Sequence, residues 1–113
     1  MGMVKATGVR RGDVYLVSLD PTRGREIKNA RPCIVVSPDE LNAHSWTYIV
    51  APLATGSRSY PFRIACRFQG KAGHVVLDQI RTVDHGRLAK RLGRLSPRAL
   101  EKSLLVLQEM FAP

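Results

Sequence analysis

The order of apolar and polar positions divides this chain into short strands followed by one long helix. Asp13-Val14-Tyr15-Leu16-Val17-Ser18-Leu19 predicts a first strand, which Asp20-Pro21-Thr22-Arg23-Gly24 ends with turn residues. Arg23 to Ala30 is a polar, charged loop of the kind that carries function on a barrel rim. The unbroken apolar run Cys33-Ile34-Val35-Val36 predicts a strand covered on both faces. Pro32 cannot donate a ladder hydrogen bond, so it belongs at that strand's first position or at an edge. Ser37-Pro38-Asp39-Glu40 has the form of a capping box opening a helical turn that ends near Asn42.

A third strand is expected over Trp46–Leu53, then a small-residue loop over Ala54–Ser59 and a fourth strand over Tyr60–Phe68. Gly70 to Gly73 should turn the chain into a fifth strand from His74 to Gln79 that runs on towards Val83, and Leu92–Leu95 makes a last one. Ser96-Pro97 caps a helix to about Phe111, with Leu100, Leu104, Leu107 and Phe111 on one face. The 113 residues suit one domain, with residues 1–10 as a flexible basic terminus. Short strands, turns and one terminal helix indicate a mainly β fold, a small closed barrel with a C-terminal α-helix.

Charge narrows the field of partners. Eighteen Lys and Arg against nine Asp and Glu leave a formal charge of +9, which points to an anionic partner, most often nucleic acid. No apolar run approaches the length of a membrane span, and the first residues lack the apolar core of a signal peptide. Cys33 and Cys66 both fall in strand-like segments and read as buried reduced thiols of a cytoplasmic protein. His44, His74 and His85 have no metal-ligand spacing, and no phosphate loop, dinucleotide fingerprint or nucleophile elbow is present. An enzyme built from these residues is expected to work without metal or cofactor, using Arg, hydroxyls and one or two carboxylates. Those groups suit cleavage of RNA by its own 2′-hydroxyl, where the substrate supplies the nucleophile and the protein stabilises charge on phosphorus. Arg31, at the mouth of the second strand, reads either as a phosphate clamp or as a solvated arginine at a strand end. Asp13 reads as structural, at a strand start.

Several motifs resemble one family. Gly12-Asp13-Val14-Tyr15 through Asp20-Pro21-Thr22-Arg23-Gly24-Arg25-Glu26, then Arg31-Pro32, resembles the opening of MazF/PemK-type toxins. Asn42, Pro52, Thr55-Gly56, Tyr60-Pro61-Phe62, Asp78-Gln79-Ile80-Arg81-Thr82-Val83-Asp84 and Leu88-Ala89-Lys90-Arg91-Leu92-Gly93 follow in the family's order, so the resemblance runs from about Arg11 to Phe111. It implies an SH3-like β-barrel of the MazF/PemK/CcdB type, spanning 1–113 as a single domain. It also implies a cytoplasmic, homodimeric endoribonuclease that cuts single-stranded RNA without metal. The implied inhibitor is an acidic antitoxin, similar to MazE or PemI, that lies across the RNA groove.

By the same resemblance the catalytic group is Arg31, Glu26, Thr55 and Asp78, with Arg31 at the phosphate and Asp78 a carboxylate matching a base of some members. RNA contacts are expected from Arg25, Asn42, Ser57, Arg58, Phe62, Gln79 and Arg81. The chain departs from the family at Ala54, where a hydroxyl is frequent, at Val76, where some members carry arginine, and at Ile27, where glutamine is usual. A non-catalytic toxin of the same fold that inhibits DNA gyrase, and an inactive RNA-binding relative, are the alternative readings.

Overall fold

The computed structural model describes residues 7–19, 30–56 and 61–113. Strand β1 (Asp13–Ser18) pairs antiparallel with β2 (Ala30–Val35) and on its other edge with β7 (Leu88–Arg94). A six-residue helix, α1 (Asp39–His44), leads into β3 (Thr47–Thr55), the longest strand. The hairpin of β4 (Arg63–Phe68) and β5 (Lys71–Val76) turns at Gln69-Gly70. Both turn residues have positive φ, as the two-residue turn that follows strand twist requires. Lys71 to Gly73, expected in a turn, are therefore strand. The path of pairing is β4-β5-β3-β2-β1-β7, with β6 (Arg81–Asp84) joined to β3.

The expected closure into a barrel is not made by strand pairing, because β4 and β7 end the path and no ladder joins them among the described residues. Side chains bridge that gap instead. The Gln69 amide donates to the Leu92 carbonyl at 3.2 Å. The expected fifth strand is also divided. Leu77–Gln79 forms a 3₁₀ turn, after which the chain pairs with the first half of β3 rather than continuing beside its end. An apolar run alone carries no signal for that change of partner.

Alternation along β2 matches the expected two-sided burial. Ile34 and Val36 enter a core with Val14, Ala51, Val75, Leu77 and Leu95, whereas Cys33 and Val35 enter a second with Val17, Tyr48, Val50 and Leu88. Helix α2 (Pro97–Met110) covers the first core. Its start is as expected: Ser96 Oγ accepts from the Ala99 N–H at 3.2 Å, and Pro97 follows. Leu100, Leu104 and Leu107 pack inward, but Phe111, the cap residue beyond the helix's last turn, is 70% exposed.

The capping box at Ser37 does not form. Pro38 is the cap residue, and the Ser37 hydroxyl instead donates to Asn42 Oδ1 at 2.6 Å and accepts from the Ile49 N–H at 3.0 Å. Residues 7–10, expected as part of a flexible terminus, are tied down. Val9 is buried, and the Thr7 hydroxyl donates to the Asn42 carbonyl at 3.2 Å. Asp13 is structural as expected. Buried at 2% exposure, it accepts from the Arg10 N–H and from the Arg91 and Arg94 guanidinium groups, joining β1 to β7. Among the described residues no helix is long and apolar enough to cross a membrane.

Candidate active site

A cavity opens where β2 and β3 part, and two prolines account for its position. Pro32 is not the first residue of β2 but its third, paired with Leu16 of β1. Only towards β3 does it stand at an edge, because that ladder begins at Cys33↔Pro52 and the missing N–H leaves no gap in it. From Leu53 onward β3 pairs with β5 instead. Between the diverging strands lies a space of about 420 Å³, within the range of ligand sites, floored by Pro32, Pro52, Leu53, Ala54 and Val76. Its polar groups are Arg31, Thr55, Arg63 and Gln79.

Arg31 and Thr55, far apart in the chain, thus line one cavity, and Gln79 joins them from the end of the 3₁₀ turn. Thr55 ends β3 opposite Gly73. A Cβ on Gly73 would lie well inside van der Waals contact with the Ala54 carbonyl oxygen, so glycine permits the close approach that places Thr55. Arg81 starts β6 outside the cavity lining, but its charge, like that of Arg31, acts on the Cys33 thiol. Burial dominates there, and Cys33 is pushed up to about 12, which makes it a packing residue rather than a nucleophile. Cys66 is half-buried and free, with its thiol also raised by burial.

Two expectations change, at Asn42 and Asp78. Asn42 does not contact RNA from this fold, because it is fully buried. Its Oδ1 takes the Ser37 hydroxyl, and its Nδ2 donates to the Ser37 carbonyl at 3.0 Å, fastening α1 to the end of β2. Asp78 is not among the cavity-lining residues. Arg63 Nε donates to its Oδ1 at 3.2 Å and Arg63 Nη2 to its Oδ2 at 3.4 Å. The Arg63 hydrogen bond holds its carboxyl below the ordinary aspartate range, which makes it a poor proton acceptor at neutral pH. Phe62 is also outside the lining, but it is 40% exposed in a left-handed conformation directly before Arg63, and its carbonyl accepts from the Leu77 N–H. Arg25, Glu26, Ser57 and Arg58 lie outside the described residues.

Arg63 is the residue that reading the sequence missed. Its link to Asp78 spans 15 positions and exists only once β4 pairs with β5. A smaller cavity of about 160 Å³ adjoins the first across Pro32, Leu53, Ala54 and Thr55, and is walled by Cys66, Phe68 and Leu92 with Gln69, Lys71 and His74 at its polar side. Among the described residues no cluster of three or more His, Cys, Asp or Glu side chains is placed to hold a metal ion.

A small antiparallel β fold with a terminal helix and a cationic cavity at a strand divergence has known counterparts. Residues 10–111 match the family described as PemK-like, MazF-like toxin of type II toxin–antitoxin system. Endoribonuclease toxin ChpB of Escherichia coli (strain K12) is 36% identical over 94% of this chain and 97% of its own length. Endoribonuclease MazF of Staphylococcus epidermidis is 35% identical over 78% of each chain. A solved structure described as an endoribonuclease in complex with its cognate antitoxin, from Mycobacterial species, superposes with a TM-score of 0.77 at 26% identity, covering 92% of this chain and 96% of the other. The chain belongs to the PemK-like, MazF-like toxin family of type II toxin–antitoxin systems.

Proposed function

We propose that this protein is the toxin of a type II toxin–antitoxin pair and acts in the cytoplasm. Its activity is that of an endoribonuclease cutting single-stranded RNA at short specific sequences, independently of ribosome and metal. The observation that carries this reading is the placement of Arg31 and Thr55 in one cavity of nucleotide-compatible size. Relatives at 35–36% identity are named endoribonucleases, and the formal charge of +9 suits both an RNA substrate and an acidic antitoxin.

In the reaction the 2′-oxygen bonds to phosphorus as the bond to the 5′-oxygen breaks. One end becomes a 2′,3′-cyclic phosphate and the other a 5′-hydroxyl. The proton leaving the 2′-hydroxyl balances the one taken up by the 5′-oxygen, and nothing is oxidised or reduced. Arg31 supplies fixed positive charge where the pentavalent phosphorus gains negative charge. Thr55 hydrogen-bonds a phosphate oxygen, Gln79 and Arg81 contact the neighbouring nucleotides, and Phe62 offers a ring face for a base to stack on. Glu26 is the remaining candidate base, since Asp78 is committed to Arg63. Leu105, exposed on α2, and Phe111, exposed at its C-terminal cap, are apolar surface suited to the pairing of two copies into a homodimer.

Arg31→Ala tests this reading. Losing one charge-stabilising group should slow cleavage about 100- to 1,000-fold. The melting temperature should hardly move, because the side chain is exposed. Parental cleavage by that variant would contradict the mechanism.

A further inference from the structure

The cavity beside Arg31 holds a second guanidinium. Arg63 stands in β4 directly opposite Val76 of β5, and both residues line the space that Arg31 and Thr55 also line. Its side chain is only 16% exposed, well withdrawn from solvent for an arginine. Asp78 grips one edge of the fork through both carboxylate oxygens, at 3.2 Å and 3.4 Å. That paired geometry sets the plane of the guanidinium, which a long side chain would otherwise leave variable.

Among the described residues, those lining the cavity bring two guanidinium groups, a hydroxyl and an amide as their polar groups. Asp78 thus orients a guanidinium that lines the cavity, while its own carboxylate stays outside the lining. Two guanidinium groups around one open space, one of them held in orientation by Asp78, suit an anionic ligand between them. Planar forks are the side-chain form best matched to phosphate oxygens.

We propose that Arg63 is a catalytic residue which, together with Arg31, bonds the non-bridging oxygens of the scissile RNA phosphate, and that Asp78 is the positioning residue that aims it. The assignment rests on the endoribonuclease reading above and deepens it. Phosphorus passes through a pentavalent state with one more negative charge than the diester, so a second fixed cation acts more strongly there than on bound substrate. Arginine stays protonated throughout. Arg63 thus stabilises charge and moves no proton. A carboxylate of an acidic inhibitor would meet the same two forks, but the accompanying hydroxyl and amide favour the RNA phosphate as occupant.

The test uses the full chain and one long single-stranded RNA, with the parent, Arg63→Ala, Asp78→Asn and Arg31→Ala compared at enzyme excess. Arg63→Ala should cut at least about 100-fold more slowly. RNA bound in a filter assay should fall by less than tenfold, and guanidinium chloride at millimolar concentration should restore part of the rate. Asp78→Asn should lose about tenfold in rate with RNA binding retained. Arg63→Gln serves in the same way if the alanine variant does not fold. Cleavage by Arg63→Ala or Arg63→Gln at the parental rate, with Arg31→Ala inert, would overturn this assignment alone. Parental-rate cleavage combined with lost inhibition by poly-glutamate would overturn it in favour of a carboxylate site. An inert parent would overturn the endoribonuclease reading and this assignment with it.

Discussion

At the residue scale the polar lining of the cavity is two arginines, one threonine and one glutamine, with Asp78 bonded to one of the arginines from outside that lining. Asp78 makes a prediction about pH. Its folded carboxyl titrates below the unfolded value of about 3.9, so the pair with Arg63 stabilises the fold above that value. That contribution disappears as pH falls through the folded value. Asp78→Asn should therefore lower the urea midpoint slightly at pH 7, and the deficit should shrink as pH falls below the unfolded value of about 3.9. An equal deficit above and below that value would show that the charge is not what the pair contributes.

Single residues also show why some roles were legible in the chain and others were not. Asp13 could be read as structural because it opens a strand, and the network with Arg91 and Arg94 agrees. Asn42 could not, since a polar residue after a short helix looks like surface until the Ser37 hydroxyl is found donating to it. Arg63 stayed hidden for a similar reason: nothing local distinguishes it from the chain's other arginines.

At the element scale the important event is the partner change of β3. Its first half pairs with β6, its middle with β2 and its end with β5, so the strand crosses from one sheet surface to the next and opens the cavity at the crossing. The two-sided burial of β2 was legible from an unbroken β-branched run, and so was the cap of α2. The division of the expected fifth strand at Leu77–Gln79 was not, because Val75 to Leu77 is apolar on both sides of the change. Gly73 tests the element account. Gly73→Ala sets a Cβ against the Ala54 carbonyl, so β3 and β5 must separate. The substitution should cost about 1–3 kcal/mol of stability. It should also reduce cleavage beyond what that loss explains, because Thr55 moves with the strand. A soluble, fully active Gly73→Ala protein would mean the close approach does not position Thr55.

At the scale of the whole molecule, an open sheet bridged by side chains and covered by α2 belongs to a chain of strong positive charge and holds the cationic cavity at Arg31. The mainly β architecture with a terminal helix followed from short strands and one capped amphipathic segment. Closure of the barrel did not follow, since it depends on how far β4 and β7 end from each other. Membership of the toxin family and the cavity at Arg31 converge on one central claim, that the protein cuts RNA using the substrate's own 2′-hydroxyl. Incubation of the purified chain with a long single-stranded RNA in EDTA, followed by mapping of the product ends, tests that claim most directly. Discrete cuts that leave a 2′,3′-cyclic phosphate and a 5′-hydroxyl are the predicted result. RNA left intact, or products carrying a 5′-phosphate, would contradict it.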